Sequence, residues 1–404
     1  MRDPSRVRVS GPLEVYASGF AAELARVGYT RNTVACQLRL MSHVSSWLAG
    51  KGLDAAPLAL TAAAVEEFFA FRRAAGHTTL CSPRALEPLL AHLRELGVMQ
   101  PDVVVAATPA EELLERYRRY LLSERGLAAG TVRGYVDVVR PFLADRVAAD
   151  GCGLERLVAR DVSAFVLAEC PGRSRGSAKL LVTALRSLLG FLHVDGVLAE
   201  SLIGAVPSVA GWRLAGLPRG LEPGQASRLL AGCDRRTTLG RRDFAILTLL
   251  LRLGLRRGEV ARLEFGDVDW RAGEIVICGK GSRQERLPLP ADVGEAVAGY
   301  LRRGRPASAQ GRCVFVRVKA PHRPLTPGGI TQVVVSAAKR AGLGEITAHR
   351  LRHTAATEML RAGATLPEVG QVLRHRSLLT TAIYAKVDRE ALRTIARPWI
   401  GGAA

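Results

Sequence analysis

The chain's 404 residues include 57 Lys or Arg against 37 Asp or Glu, a formal net charge of +20; the length allows roughly two or three domains, and so basic a chain points to a polyanionic partner. Seven scattered cysteines (Cys36, Cys81, Cys152, Cys170, Cys233, Cys278, Cys313) form no Cys-x-x-Cys pair, which argues against a disulfide framework or a zinc site and for a reducing compartment. The charged start, Met1 to Arg6, leads into no apolar signal core, and apolar runs such as Phe244 to Leu251 fall short of the ~20 residues of a membrane helix, so a soluble cytoplasmic protein with no membrane partner is expected.

Residues 1–100 read as four helices, Pro12–Arg26, Arg31–Ala49, Thr61–Ala74 and Pro83–Leu96. Apolar residues recur there at three and four, and Gly28, Gly50, Gly76 and Gly97 act as stops. Residues 109–196 repeat the scheme. Gly28 and Val34 align with Gly126 and Val132, an offset of 98; Val65 and Phe68 align with Val162 and Phe165; and Leu86, Leu89, Leu90 and Leu93 align with Leu185, Leu188, Leu189 and Leu192. A nearly constant offset implies two copies of one four-helix unit.

Residues 199–220 carry Gly and Pro with little periodicity and read as a linker, in which Arg213 and Arg219 are candidate phosphate contacts. From Leu221 the pattern changes. Helices are expected at Pro223–Gly232 and Arg242–Leu253, then β-rich runs at Glu274–Cys278, Arg286–Leu289 and Cys313–Val316. Helices return at Ala291–Arg302, Pro327–Ala341, His349–Ala362, Leu366–Leu373 and Thr380–Tyr384.

Three stretches of this last region carry chemistry. Leu253-Gly-Leu-Arg-Arg-Gly-Glu places Arg256 and Arg257 before Glu259; Gly279-Lys-Gly-Ser-Arg places Lys280 and Arg283 in a turn between two strands; and Thr347-Ala-His-Arg-Leu-Arg-His is followed by Leu373-Arg-His and Tyr384. His349 and Arg352 are three apart on a helix and share a face suited to an anion. Each motif alone is common. Taken together and in order, Arg256, Lys280, His349, Arg352, His375 and Tyr384 resemble the signature of the tyrosine recombinase (phage integrase) family over roughly residues 220–396.

The resemblance implies a mainly α fold: an extra helical domain (1–100), a core-binding, SAM-like four-helix domain (108–198), a linker (199–220) and a mostly helical integrase-type catalytic domain with a small antiparallel sheet (221–404). It also implies a site-specific recombinase acting on double-stranded DNA, as a homo- or hetero-tetramer on two DNA sites, at the nucleoid, with no cofactor or metal. In that scheme Tyr384 is the nucleophile and forms a 3′-phosphotyrosyl link; Arg256 and Arg352 hold the phosphate; Lys280 is the general acid; His349 is the candidate base; and His375 donates to the scissile phosphate. Guanidinium forks match phosphate oxygens and stay charged. A phenol with a reference pKa of about 10 needs a neighbouring base and cations. Arg257 and Arg283 are expected to face DNA, Glu259 to buttress an arginine, and His353 to be structural. After Tyr384, the tail from Asp388 to Trp399 resembles the helix that family members lend to a neighbouring protomer.

One departure stands out: the family usually has Leu-Gly-His where this chain has Leu373-Arg-His. If that position takes positive φ, an arginine there costs about 1 kcal/mol and shifts His375, or it contacts phosphate itself. Two other readings share parts of the pattern, a type IB topoisomerase and a non-catalytic DNA-binding subunit. The repeat and the Gly254-Leu-Arg256 box favour recombinase over the first, and retention of all six residues over the second.

Overall fold

The computed structural model describes residues 3–52, 60–99, 108–144, 146, 153–210, 220–279, 283–375 and 381–387. The chain divides into two units, one formed by residues 1–101 with 216–404 and the other by 102–215.

In the first unit, helices α1 (Ala17–Arg26), α2 (Arg31–Gly50), α3 (Ala62–Ala74) and α4 (Pro83–Glu95) enclose a core of Phe20, Met41, Phe68, Phe69, Leu86 and Leu93. Thr30 and Thr61 cap α2 and α3 by accepting the N–H groups of Thr33 and Ala64, which satisfies donors the helix itself cannot. The stretch Pro12–Arg26 is helical only from Ala17, after a 3₁₀ turn at Glu14–Tyr16.

The second unit holds α5 (Pro109–Ser123), α6 (Ala129–Ala144), α7 (Ala159–Glu169) and α8 (Arg175–Val194) around Tyr117, Phe142, Leu181, Leu185 and Leu188. Among the described residues α8 is the one helix long and apolar enough to cross a membrane, and half of it is buried in this core. The aligned glycines Gly28 and Gly126, and Gly97 and Gly196, which align at the same offset as the leucines, all take positive φ at the ends of equivalent helices, where glycine relieves the steric cost.

The rest of the first unit begins with α9 (Gln225–Ala231), α10 (Thr238–Arg252) and α11 (Arg257–Arg262). Strands β1 (Val268–Asp269), β2 (Glu274–Cys278) and β3 (Gln284–Pro288) form an antiparallel sheet in that order, with Ile275 opposite Leu287 and Cys278 opposite Gln284. Helices α12 (Ala291–Arg303), α13 (Pro327–Arg340), α14 (Ala348–Arg361) and α15 (Leu366–Val372) follow. Buried α10 runs through the middle of the core, against Ile275, Val297, Tyr300, Phe315 and Val334. Its Asp243 takes one carboxylate oxygen to Arg242 and the other to Arg340 on α13, each at 2.7 Å, so the buried charge is paired.

The strand expected at Arg286–Leu289 runs over Gln284–Pro288, and two further expectations differ in kind. Cys313–Val316 is not a strand; it makes isolated bridges, Glu264 to Cys313 and Val316 to Pro324, while the third strand is β1. The expected helix at Thr380–Tyr384 is a 3₁₀ helix over Ala382–Val387. The segments with Lys280, Arg213, Arg219 and the tail from Asp388 to Trp399 lie outside the described residues.

Candidate functional site

The site is assembled where four elements meet: the start of α11, the buried face of α14, the turn after α15 and the 3₁₀ helix Ala382–Val387. Arg256 precedes α11 and its backbone N–H donates to Glu259 Oε2 at 2.8 Å, so the carboxylate caps the helix that begins there. The Arg256 guanidinium donates to Glu259 Oε1 at 2.7 Å and to the Arg374 carbonyl at 3.2 Å, yet 44 % of its side chain stays exposed to a ligand. Glu259 is therefore the buttress expected of it. Burial pushes its carboxyl up, but the Arg374 charge and the Arg256 hydrogen bonds outweigh that and hold it below its ordinary value.

Arg352, on α14, is buried and donates to the carbonyls of Gly254 and Leu373. Desolvation and the nearby Arg256 and Arg374 charges lower its pKa to about 9, so it remains a cation at neutral pH. Gly254 makes this approach possible. Its φ is +58°, and a Cβ there would fall 2.4 Å from Leu373 Cδ2.

After α15 the chain reverses through Leu373-Arg374-His375. The N–H of Arg374 bonds to the Gln371 carbonyl and that of His375 to the Gly370 carbonyl, both at 2.9 Å, with Arg374 at φ +56°. This pair of bonds is a Schellman turn, so positive φ falls at the position where the family usually has glycine. Of the two alternatives for Arg374, an outward side chain poised for phosphate is not the arrangement seen. Arg374 is buried, and its guanidinium pairs with Glu259 at 2.9 Å. Nor is His375 lost from the site: its Nδ1 lies 2.8 Å from Thr381 Oγ1 and its ring is parallel to that of Tyr384, 6.3 Å away.

Tyr384 packs on Ala356, Val369 and Leu373 and is 1 % exposed. Its hydroxyl lies 2.8 Å from Nδ1 of His353, not of His349. His349 meets His353 edge to face, with ring centroids 4.3 Å apart. Sequence reasoning treated His353 as structural. Its place one helical turn after His349 was the signal that both share a face. Burial raises Tyr384 to about 12 against the opposing pull of Arg352. Burial, His349 and Arg352 lower His353 to about 4; burial and the three arginines lower His375 likewise to about 4. His349 is also lowered, by its packed surroundings, Arg352 and Arg256.

Arg256, His349, Arg352, His375 and Tyr384 thus converge, with His353 added. The two expected DNA-facing arginines among the described residues make no hydrogen bond or ion pair with this cluster. Arg257 donates to Thr331 Oγ1 on α13 at 3.1 Å, and Arg283 is exposed beside the β2–β3 turn.

The phage integrase family profile matches residues 219–391, and the phage integrase N-terminal SAM-like domain profile matches residues 114–196. A putative integrase/recombinase, y4rA, of Sinorhizobium fredii is 42 % identical over 398 residues, covering 97 % of this chain and 96 % of the relative. The chain belongs to the phage integrase family. Tyrosine recombinase XerD of Listeria monocytogenes is another relative of this integrase, 30 % identical over 70 % of this chain and 97 % of its own length. Two solved structures share the integrase fold. The XerH recombinase bound to palindromic difH substrate has a TM-score of 0.57 and 19 % identity, over 72 % of this chain and 96 % of that one. A lambda integrase dimer bound to a core site has 0.53 and 17 %, over 72 % and 98 %.

Proposed function

We propose that this integrase is a site-specific recombinase that cuts and rejoins double-stranded DNA through a 3′-phosphotyrosyl intermediate. The observation that carries the reading is the 2.8 Å hydrogen bond of the Tyr384 hydroxyl to His353, inside a cluster that also contains Arg256, Arg352 and His375. In this scheme the Tyr384 oxygen attacks phosphorus, the bond from phosphorus to the 5′-oxygen breaks, and the ester left on Tyr384 keeps the free energy for rejoining. A second 5′-hydroxyl reverses the step.

The proton of Tyr384 passes to a histidine. His353 is uncharged at neutral pH and already touches the hydroxyl, so it is the base, and His349 supports it from the adjacent ring. Because the two pKa values lie far apart, full transfer before attack is unfavourable and the proton moves as the new bond forms. Arg256 and Arg352 stabilise charge growing on the non-bridging oxygens; one such donor is typically worth ~2.7 to 4 kcal/mol. When the Thr381 hydroxyl donates to His375 Nδ1, the proton on that ring sits at Nε2, free to donate to the phosphate. Lys280 protonates the leaving 5′-oxygen. The arginines supply the charge that a metal supplies in other phosphoryl transfers, so we propose a metal-independent reaction.

The SAM-like unit and the catalytic region both contact DNA, the diverged copy at residues 1–100 binds DNA outside the core site or holds protomers together, and Arg213, Arg219, Arg257 and Arg283 contact phosphates. Four protomers, identical or mixed with related recombinases, act on two sites at the nucleoid. The relatives solved on DNA support this reading. The test is a nicked substrate built from DNA flanking the gene. Wild type should give an SDS-resistant, protease-sensitive adduct that Tyr384→Phe does not; no adduct on any flanking DNA would favour a binding subunit instead.

A further inference from the structure

We propose that Arg374 is a positioning residue for cleavage: it neutralises Glu259 from below, so that Arg256 presents its full charge to the scissile phosphate. The inference rests on the reading of Arg256 as a phosphate ligand. Glu259 is buried, and three donors converge on it: the Arg256 backbone N–H, the Arg256 guanidinium and Arg374 Nη2. With Arg256 alone, that carboxylate would make a closed neutral pair. An incoming phosphate would then meet a cation already matched by an anion of equal charge. The second guanidinium leaves a net positive charge on the trio, and Arg256 is its exposed end, with 44 % of its side chain open against 3 % for Arg374.

Backbone geometry supports the same role. The consecutive carbonyls of Leu373 and Arg374 each accept from one arginine, Leu373 from Arg352 and Arg374 from Arg256. The turn after α15 therefore sets the spacing of both guanidinium groups. Glycine is the residue such a turn ordinarily takes, and an L side chain at φ +56° is strained. Arg374 bears that strain and a desolvated charge as well. Its Nη1 finds the Val372 carbonyl at 2.7 Å, but its Nε has no partner among the described residues. A strained, buried cation whose only ion pair among the described residues is with the carboxylate holding Arg256 is suited to tuning that arginine. Its burial separates it from the exposed arginines that contact a DNA backbone directly.

The experiment measures single-turnover adduct formation at saturating nicked DNA for wild type, Arg374→Gly, Arg374→Lys and Arg374→Met, with DNA affinity and thermal melting alongside. Arg374→Gly should melt near wild type, because glycine relieves the turn, and should bind DNA equally. It should cleave roughly 10- to 100-fold more slowly, by analogy with loss of the outer-shell groups that orient metal ligands. Arg374→Lys, which keeps the charge, should recover most of the rate; Arg374→Met, of similar length without charge, should not. The deficit should also shrink on a substrate whose scissile phosphate is replaced by an uncharged methylphosphonate, since Arg256 then has less charge to stabilise. A wild-type rate for Arg374→Gly, an equal deficit on both linkages, or parallel loss of DNA binding would overturn the proposal. If the glycine variant fails to fold, equal rates for the lysine and methionine variants would do so. Wild-type adduct formation tests the recombinase reading by itself, so the two fail separately.

Discussion

Of the histidines around Tyr384, His353 is the one within hydrogen-bonding distance of the hydroxyl, and its neutrality is what lets it accept the proton. Replacing it by Phe should slow adduct formation by about 100-fold or more, as for loss of a general base. Replacing His349 by Phe should cost less, and the reverse order would return the base to His349. The depressed pKa has a sign. The fold disfavours the imidazolium, so between the ordinary histidine value and about 4 the native protein binds fewer protons than the unfolded chain, and stability falls as pH falls through that window. Denaturant unfolding at pH 7 and pH 5 should show this loss, and it should be smaller in His353→Gln. At subsaturating DNA the acid limb of the cleavage rate should lie below about pH 5, because that regime reports the free protein. A limb near pH 6.5 would mean that His353 titrates as an ordinary histidine.

At the scale of elements, the site depends on two turns that meet, the one before Arg256 and the one after α15. Gly254→Ala places a methyl against Leu373 in a left-handed backbone, and overpacking of this kind costs about 1–3 kcal/mol. The variant should unfold at lower denaturant and cleave slowly, since the Gly254 carbonyl also receives Arg352. Wild-type stability would show that the turn has room. The long helices were legible because their apolar faces recur over three or more turns, and β2 was read at its observed ends. Shorter pieces were not. Helix α11 spans six residues and β1 two, too few to display a period. The apolar run Cys313–Val316 looked like a strand because it is buried, but burial there comes from packing against Tyr300 and α10 rather than from a ladder. Within the site, the order of motifs picked out Arg256, His349, Arg352, His375 and Tyr384, which lie together in the structure, but not His353. The pairing of Arg374 with Glu259 was hidden because 115 positions separate them.

Across the whole molecule the positive charge is unevenly spread. Residues 216–404 hold 32 Lys and Arg against 16 Asp and Glu, whereas residues 1–101 have 11 against 8 and residues 102–215 have 14 against 13. Non-specific attraction to DNA should therefore come mainly from the catalytic region. The helical units are left to add shape, local contacts or protomer contacts. If the protein neutralises on the order of 10 phosphates, affinity should fall by several decades from about 50 to about 200 mM salt. Arg257→Gln and Arg283→Gln should each lower the slope of log affinity against log salt by about 1 and weaken all sequences alike. A flat response would contradict phosphate clamping. A single tyrosine is to carry the cut strand, so the decisive measurement maps the covalent adduct. After nuclease and trypsin digestion, mass spectrometry should find the residual 3′-nucleotide on the peptide Ser377–Lys386, attached at Tyr384. The same mass on any other peptide, or on a serine or threonine of this one, would contradict it.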